Sequence, residues 1–381
     1  MLNRLLNRFV FNLYFFIFKA AASIWPPVDT VLDKASFRRI LVFSTAGIGD
    51  SLSDSPAIRA LKETYPETII TVVAHRRRSL VAAHNPFIDE LVLYKKGFIS
   101  FIKNYLLLKR RHFDLVVILR ANDPDVWPLA YFINRRAVVS CPVMTRMGFL
   151  ISHPVILPDW DCTHGVEQTM DIVRYAGADT KDRGLVYEVS NDELKNIEET
   201  LAGFGVSGRH IVAFQVGGGR RGGYRDWGYA NYIEAGRRLL EEFDVVLMLT
   251  AGKDNLNKAN LVESGLGSKD VLNMAGKMTL AQTAALLKKC SVLLSTDTGI
   301  MHLGFAVGDV DVLSLIHCFN PATRVGPYGY GEKHAVIQLT PPEGQKPSMS
   351  MSMDMISPEA VYEKLREICL RKGMRKRFHE S

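Results

Sequence analysis

Short apolar runs, loops of small residues and stretches with helical spacing alternate along this chain, and they do so in two successive series. The first series opens at Ile40-Leu41-Val42-Phe43 and continues through strands expected at 69–74, 90–93, 115–119 and 137–140. Helical spacing appears around Ala57, Ile58 and Leu61 and again over 165–176 and 191–204. Glycines at 203, 205 and 208 break the rhythm. It restarts with strands expected at 211–216, 245–250, 291–295 and 312–316, and with helices over 229–242, 255–264, 280–289 and 358–370. A further helix is expected to start near Gly299. Continuous apolar runs of strand length belong to strands buried on both faces. Strands alternating with helices build parallel sheets covered on both sides. The chain is therefore expected to be α/β, with two doubly wound halves joined near 185–208. Ligands of such sheets sit beyond the carboxyl ends of the strands, which points to the loops after Phe43, Val216, Thr250 and Ser295. A cleft between two facing halves is the default site.

Charge narrows the class of partner. Lys and Arg outnumber Asp and Glu by 47 − 40 = +7. Residues 1–39 carry a net +4 and residues 371–381 another +4, so the 331 residues between them sum to −1. That distribution disfavours a nucleic-acid binder, whose charge would cover its body. The N-terminal cations Arg4, Arg8 and Lys19 flank or interrupt an aromatic run over 9–22. The run is too short for the roughly 20 residues that cross a bilayer. A helix lying in the membrane interface is expected, its cations toward anionic headgroups. A secretory signal and a helix packed on the protein's own surface are the alternatives. The five cysteines (Cys141, Cys162, Cys290, Cys318, Cys369) have neither metal-ligand nor CxxC spacing, which favours a reducing cytoplasm.

Three loops carry the chemistry. Ser44-Thr45-Ala46-Gly47-Ile48-Gly49-Asp50 runs from a strand into a Gly-rich turn. Gly47 and Gly49 allow close approach of a ligand, and Asp50 is placed to take a proton from a hydroxyl, with helix capping as the plainer role. Ser295-Thr296-Asp297-Thr298-Gly299 leads into a second helix, with His302 one turn on. The free N–H groups at such a helix start suit a diphosphate, and capping is again the plainer role for Asp297 or Thr298. The loop after Val216 holds Gly217, Arg220, Arg221 and then Arg225-Asp226-Trp227, where guanidinium groups suit phosphate oxygens. Walker A, GxGxxG after the first strand, HExxH and GxSxG patterns are all absent.

Taken in order, these segments resemble the bacterial lipopolysaccharide heptosyltransferases, glycosyltransferase family 9. The N-half likeness runs through Arg39-Ile40-Leu41-Val42, Gly49-Asp50, Pro56-Ala57-Ile58-Arg59, Tyr65-Pro66-Glu67, Asn85-Pro86-Phe87, Phe113-Asp114-Leu115-Val116 and Arg146-Met147-Gly148-Phe149. In the C-half it runs through Gly276-Lys277-Met278-Thr279-Leu280, Asp297-Thr298-Gly299-Ile300-Met301-His302 and Gly326-Pro327-Tyr328-Gly329. Together they span roughly residues 38–340. The resemblance implies a GT-B fold of two Rossmann-like domains: 38–190 for the acceptor and 205–345 for the donor. Residues 1–37 are expected to form a membrane-interface segment, and 346–381 a final helix and basic tail. It implies an inverting, metal-independent transfer of a sugar, typically from ADP-heptose, onto a lipid-linked glycan acceptor, without a cofactor. The expected place is the inner face of the bacterial inner membrane.

By the same resemblance Asp50 matches the general base, with Gly47 and Gly49 on the acceptor side. Arg225, standing where Lys is usual, meets the donor phosphates. Asp297, Thr298, Gly299 and His302 form the donor segment, joined by Gly217 and Lys277. Departures lie at Ser51-Leu52-Ser53, Asp309-Val310-Asp311 and His317-Cys318-Phe319-Asn320, and they bear on the identity and anchoring of the donor sugar. Arg76-Arg77-Arg78 either meets acidic groups of the acceptor or forms a solvated face. A sugar-nucleotide epimerase and a non-catalytic nucleotide-sugar-binding scaffold are the competing readings.

Overall fold

Twelve strands in two six-stranded sheets carry the chain in a computed structural model, which describes residues 14–76, 79–218 and 223–377. Every pairing between these strands is parallel. The chain divides into two compact units, Met1–Arg183 and Gly184–Ser381.

The first unit contains β1 (Arg39–Ser44), β2 (Ile69–His75), β3 (Glu90–Tyr94), β4 (Leu115–Arg120), β5 (Val138–Ser140) and β6 (His153–Pro154). Their order across the sheet is β3-β2-β1-β4-β5-β6. The chain starts at the centre, steps outward to β3, then returns past β1 to build the other side. Connections from β1 and β4 thus leave in opposite directions, and a crevice opens at the carboxyl ends of these two neighbours. Side chains alternate between the sheet faces. Leu41, Phe43, Val116, Ile118 and Val138 meet Trp127 and Leu129 of helix Val126–Asn134 on one face. On the other side, helix Ser55–Thr64 packs against helix Gly165–Tyr175.

The second unit repeats this plan. β7 (His210–Gln215), β8 (Val245–Thr250), β9 (Val271–Asn273), β10 (Val292–Thr296), β11 (Asp311–Ile316) and β12 (Ala335–Gln338) stand in the order β12-β11-β10-β7-β8-β9. The equivalent switch point lies between β7 and β10. Phe214, Leu247 and Leu249 pack with Tyr232 and Leu239 of helix Tyr229–Glu242 and with Val361 and Leu365 of helix Pro358–Arg371. Full burial of each such side chain is worth about 1.5–3 kcal/mol, so these alternating rows hold each sheet to its helices. Helix Asn191–Gly203 packs against helix Leu280–Lys289 within this unit.

Strand positions agree with the periodicity to within one or two residues. β6, β9 and β12 are additions: β6 has two residues, β9 three, and β12 is a half-buried edge, so none carries a legible period.

The fold gives both basic ends partners of their own. Residues 14–24 are helical, and Phe18 and Ala22 are buried in the core of the first unit. Phe18 meets Phe132 edge-on at 5.8 Å, and Phe15 meets Phe149 at 5.4 Å. The segment therefore packs on its own domain by one face; Arg4 and Arg8 lie outside the described residues. At the other end Arg371 and Lys372 pair with Asp311, Lys376 with Glu242 and Arg377 with Asp270. Most of the tail's charge is thus matched inside its own unit rather than offered outward. Among the described residues no helix is long and apolar enough to cross a membrane.

Candidate active site

In the first unit, Ser44 ends β1 and Arg120 ends β4, and the two are paired residues at the switch point. The chain after Ser44 turns through Gly47 into helix Ile48–Ser53, with Gly47 as N-cap and Asp50 in the first turn. Asp50 is thus not the N-cap residue. Its Oδ2 accepts a hydrogen bond from the Gly47 N–H at 2.9 Å, which fixes the carboxylate over the turn. Gly47 has φ −68° and ψ 173°, extended backbone open to any residue. Glycine leaves room for the carboxylate, since a Cβ there would lie 2.9 Å from Asp50 Oδ2 and push it aside.

Arg120 and Asp54, which the sequence reading missed, complete this cluster. Arg120 Nη1 lies 3.4 Å from Asp50 Oδ1, and its Nε lies 3.6 Å from Asp54 Oδ1. Its remaining nitrogen donates to the Gly165 carbonyl. The Ser44 hydroxyl donates to Asp54 Oδ2 at 2.6 Å. The two carboxylates sit one helical turn apart but in opposite surroundings: the Asp50 side chain is 47% exposed and that of Asp54 0%. Burial pushes the Asp54 pKa up to about 6, against the lowering influence of Arg120 and Ser44. One cation thus bridges two acids, Asp50 at the rim and Asp54 beneath it.

Asp54 supplies a pH test. A carboxyl whose pKa is raised by folding binds its proton more readily in the folded state, so it contributes more stability at low pH. Asp54→Asn should abolish that term. Relative to the variant, the wild type is expected to gain about 1 kcal/mol between pH 7 and pH 5, measured by urea unfolding. An unchanged difference would show that Asp54 is already fully ionised in that range.

In the second unit the equivalent switch point gathers Arg225, Asp297, Thr298 and His302. Asp297 follows β10 and is buried, and Thr298 caps helix Gly299–Val307 from an extended conformation. Arg225 Nε lies 3.3 Å from Asp297 Oδ2, while its Nη1 donates to the Asp297 carbonyl at 3.3 Å. His302 Nε2 is 3.8 Å from Asp297 Oδ1, and Asn320 Nδ2 donates to Asp297 Oδ2 at 3.1 Å. Burial alone would raise the Asp297 pKa, but His302, Arg225 and Asn320 hold it below the usual carboxylate range. Asp297 thus gathers two cationic or potentially cationic groups beside a helix N-terminus, whose first N–H groups have no intrahelical acceptor.

The neighbouring loops are built around backbone proximity. Gly217 has φ +103°, and Gly218 leaves room for the Arg225–Asp226 peptide, 2.5 Å from where its Cβ would stand. Gly218, not singled out by sequence, is therefore as constrained as Gly217. The Gly218 N–H donates to Asp226, which also pairs with Lys258. Trp227 is buried, donating to the Ile356 carbonyl, so the Arg225 loop is anchored on both sides. Lys277 is exposed and donates to the Asn273 carbonyl at 2.8 Å, which ties it to its own turn rather than to Asp297. The His317–Asn320 departure acquires a role: Tyr224 packs on His317 and Phe319, and Asn320 holds Asp297. Arg77, Arg78, Arg220 and Arg221 lie outside the described residues. Among those described, no group of three or more His, Cys, Asp or Glu is arranged to hold a metal ion.

A family model described as glycosyltransferase family 9 (heptosyltransferase) matches residues 107–353. Lipopolysaccharide heptosyltransferase 3 of Escherichia coli is 24% identical over 274 residues, covering 68% of this chain and 78% of that protein. Among solved structures, a family 9 glycosyl transferase from Veillonella parvula superposes with a TM-score of 0.74 at 22% identity, covering 90% of this chain and 99% of that one. The ADP-heptose lps heptosyltransferase II of E. coli superposes with a TM-score of 0.72 at 20% identity, covering 88% and 99%.

Proposed function

This chain belongs to glycosyltransferase family 9 and has its two-domain GT-B fold, and from that premise we propose that it transfers heptose from ADP-heptose to a lipopolysaccharide core acceptor, with inversion and without a required metal. The observation that carries the reading is the division of chemistry between the two switch points: an exposed, oriented carboxylate at one, and an arginine beside a helix N-terminus at the other. In the step itself, the acceptor oxygen attacks the anomeric carbon while its proton passes to the Asp50 carboxylate. The bond from the anomeric carbon to the phosphate oxygen breaks, and ADP leaves with the electron pair. The developing charge on ADP is met by Arg225 and the N–H groups at Thr298 and Gly299. Asp297 and Asn320 position Arg225, and Asp297 also positions His302. A single displacement at carbon inverts its configuration.

Two measurements test this reading. ADP-heptose should raise the melting temperature of the full chain more than UDP-glucose or GDP-mannose at equal concentration, because a ligand bound to the folded state stabilises it. Equal protection by all three would remove the assignment of the donor. Gly47→Ala is expected to displace the Asp50 carboxylate and lower kcat about 10- to 100-fold, while the chain melts close to the wild-type temperature. Wild-type turnover in that variant would show that Asp50 needs no fixed position. Because lipopolysaccharide acceptors are lipid-linked, the reading also places the enzyme at the cytoplasmic face of the inner membrane.

A further inference from the structure

The first unit carries an apolar face that extends well beyond the N-terminal segment. Residues 14–24 bury Phe18 and Ala22, one turn apart, and turn Phe16, Ile17 and Ile24 outward, Ile24 with 68% of its surface exposed. Beside them, helix Phe98–Lys109 buries Leu108 and Asn104 and turns Ile99, Leu106 and Leu107 outward, Ile99 with 72% exposed. Phe132 joins the two helices, with its ring 5.8 Å from Phe18 and 6.2 Å from Tyr105. Both helices therefore lie on the same side of the sheet and present their outer faces there. Large apolar side chains exposed on two neighbouring helices are the kind of feature that marks an interaction surface.

The charge around the face identifies the partner. Residues 91–113 contain Lys95, Lys96, Lys103, Lys109, Arg110 and Arg111 and no Asp or Glu. Residues 1–28 contain three cations and no acid, and residues 135–158 contain Arg135, Arg136 and Arg146 and no acid. Lys19, Lys95, Lys96, Lys103 and Arg110 are exposed, and the Arg146 guanidinium lies over the Phe15 ring at 5.6 Å. An apolar centre rimmed by lysines on long flexible stems fits a bilayer, in which the stems lie along the acyl boundary and the ammonium groups reach anionic headgroups. A protein interface would instead be depleted of lysine.

We propose that residues 14–24 and helix Phe98–Lys109 form one docking face for an anionic membrane, with Ile99 and Leu106 entering the lipid boundary beside Phe16, Ile17 and Ile24. This extends the membrane part of the proposed function, and its test reads the second helix separately from transfer. The face is not legible in the charge arithmetic, because acids outside these segments enter the sum; Arg111 is paired with Glu90, while Lys95, Lys96, Lys103 and Arg110 are exposed. It becomes visible only when the acid-free segments are seen to share a side.

Flotation of the full chain with phosphatidylcholine vesicles, with and without phosphatidylglycerol, tests the proposal. Binding is expected only to the anionic vesicles and should weaken with salt. The double variant Ile99→Glu/Leu106→Glu should bind at least about tenfold more weakly, while its thermal protection by ADP-heptose stays at the wild-type value. Wild-type binding by this variant, with binding lost only on deletion of residues 1–25, would confine anchoring to the N-terminal segment and overturn the two-helix face. Absence of binding to anionic vesicles, or a wild-type dimer in light scattering that the variant dissociates, would overturn it as well.

Discussion

Replacing Asp50 by Asn is expected to lower the transfer rate by about 10²–10⁴-fold, the contribution of a positioned general base, and to leave ADP-heptose binding unchanged. Asn keeps an oxygen for the Gly47 N–H, which Asp50 now accepts at 2.9 Å, so the helix start survives. The variant loses only the ability to take a proton. The effect should therefore fall on kcat and spare both the melting temperature and its rise with donor. Transfer within about threefold of wild type would remove Asp50 from the base role. Arg120→Leu is a useful companion. It leaves the buried Asp54 without its cation, so it should lower stability as well as rate, whereas Asp50→Asn should lower rate alone.

The second large effect is expected at Arg225. Arg225→Ala should lower kcat/KM by about 10²–10³-fold, the size of loss seen when one donor to a developing anion is removed. Binding of ADP should weaken in parallel, because in the proposed step the same group meets the diphosphate before and during departure. Arg225→Lys tests geometry. An ammonium keeps the charge but cannot hold both the carboxylate and the carbonyl of Asp297, as the guanidinium does. The lysine variant is therefore expected to fall between wild type and alanine. Equal activity of all three, read from initial rates across donor concentrations, would place the diphosphate elsewhere.

Much of this architecture was legible in the sequence, and what was not has identifiable causes. Runs such as Leu115-Val116-Val117-Ile118-Leu119 can hardly be anything but strands buried on both faces, so the α/β rhythm and its restart could be read directly. Asp50 and Asp297 stood out because each follows a strand and a turn of small residues. Arg120 did not, since it ends an apolar run and its partners are 66 and 70 residues away in sequence. Only the sheet order, which puts β4 next to β1, brings it to Asp50. One signal was available: a lone cation closing a buried strand, with two aspartates spaced one helical turn apart, at 50 and 54. Lys277 stands apart from the other donor-segment residues. Its motif matched, but its side chain is held by the Asn273 carbonyl. The His317–Asn320 departure, which bears on how the donor is anchored, supplies Asn320 to the Asp297 network.

The charge balance needed the fold for its interpretation. The two +4 ends have different fates. The C-terminal one is largely matched by Asp311, Glu242 and Asp270, while the acid-free segment over 91–113 was hidden in a body that sums to −1. Net charge is a property of a segment in sequence; a surface is assembled from several of them.

In the proposed reaction two switch points share one transfer, a base at the first and a diphosphate site at the second. The most direct measurement is release of ADP from ADP-heptose by the full chain, with and without a truncated lipopolysaccharide acceptor, in the presence of a chelator. Release is expected to require the acceptor, to survive chelation, to match the appearance of glycosylated acceptor mole for mole and to invert the anomeric carbon. Release without acceptor, interconversion of the sugar without transfer, or retention of configuration in the product would contradict it.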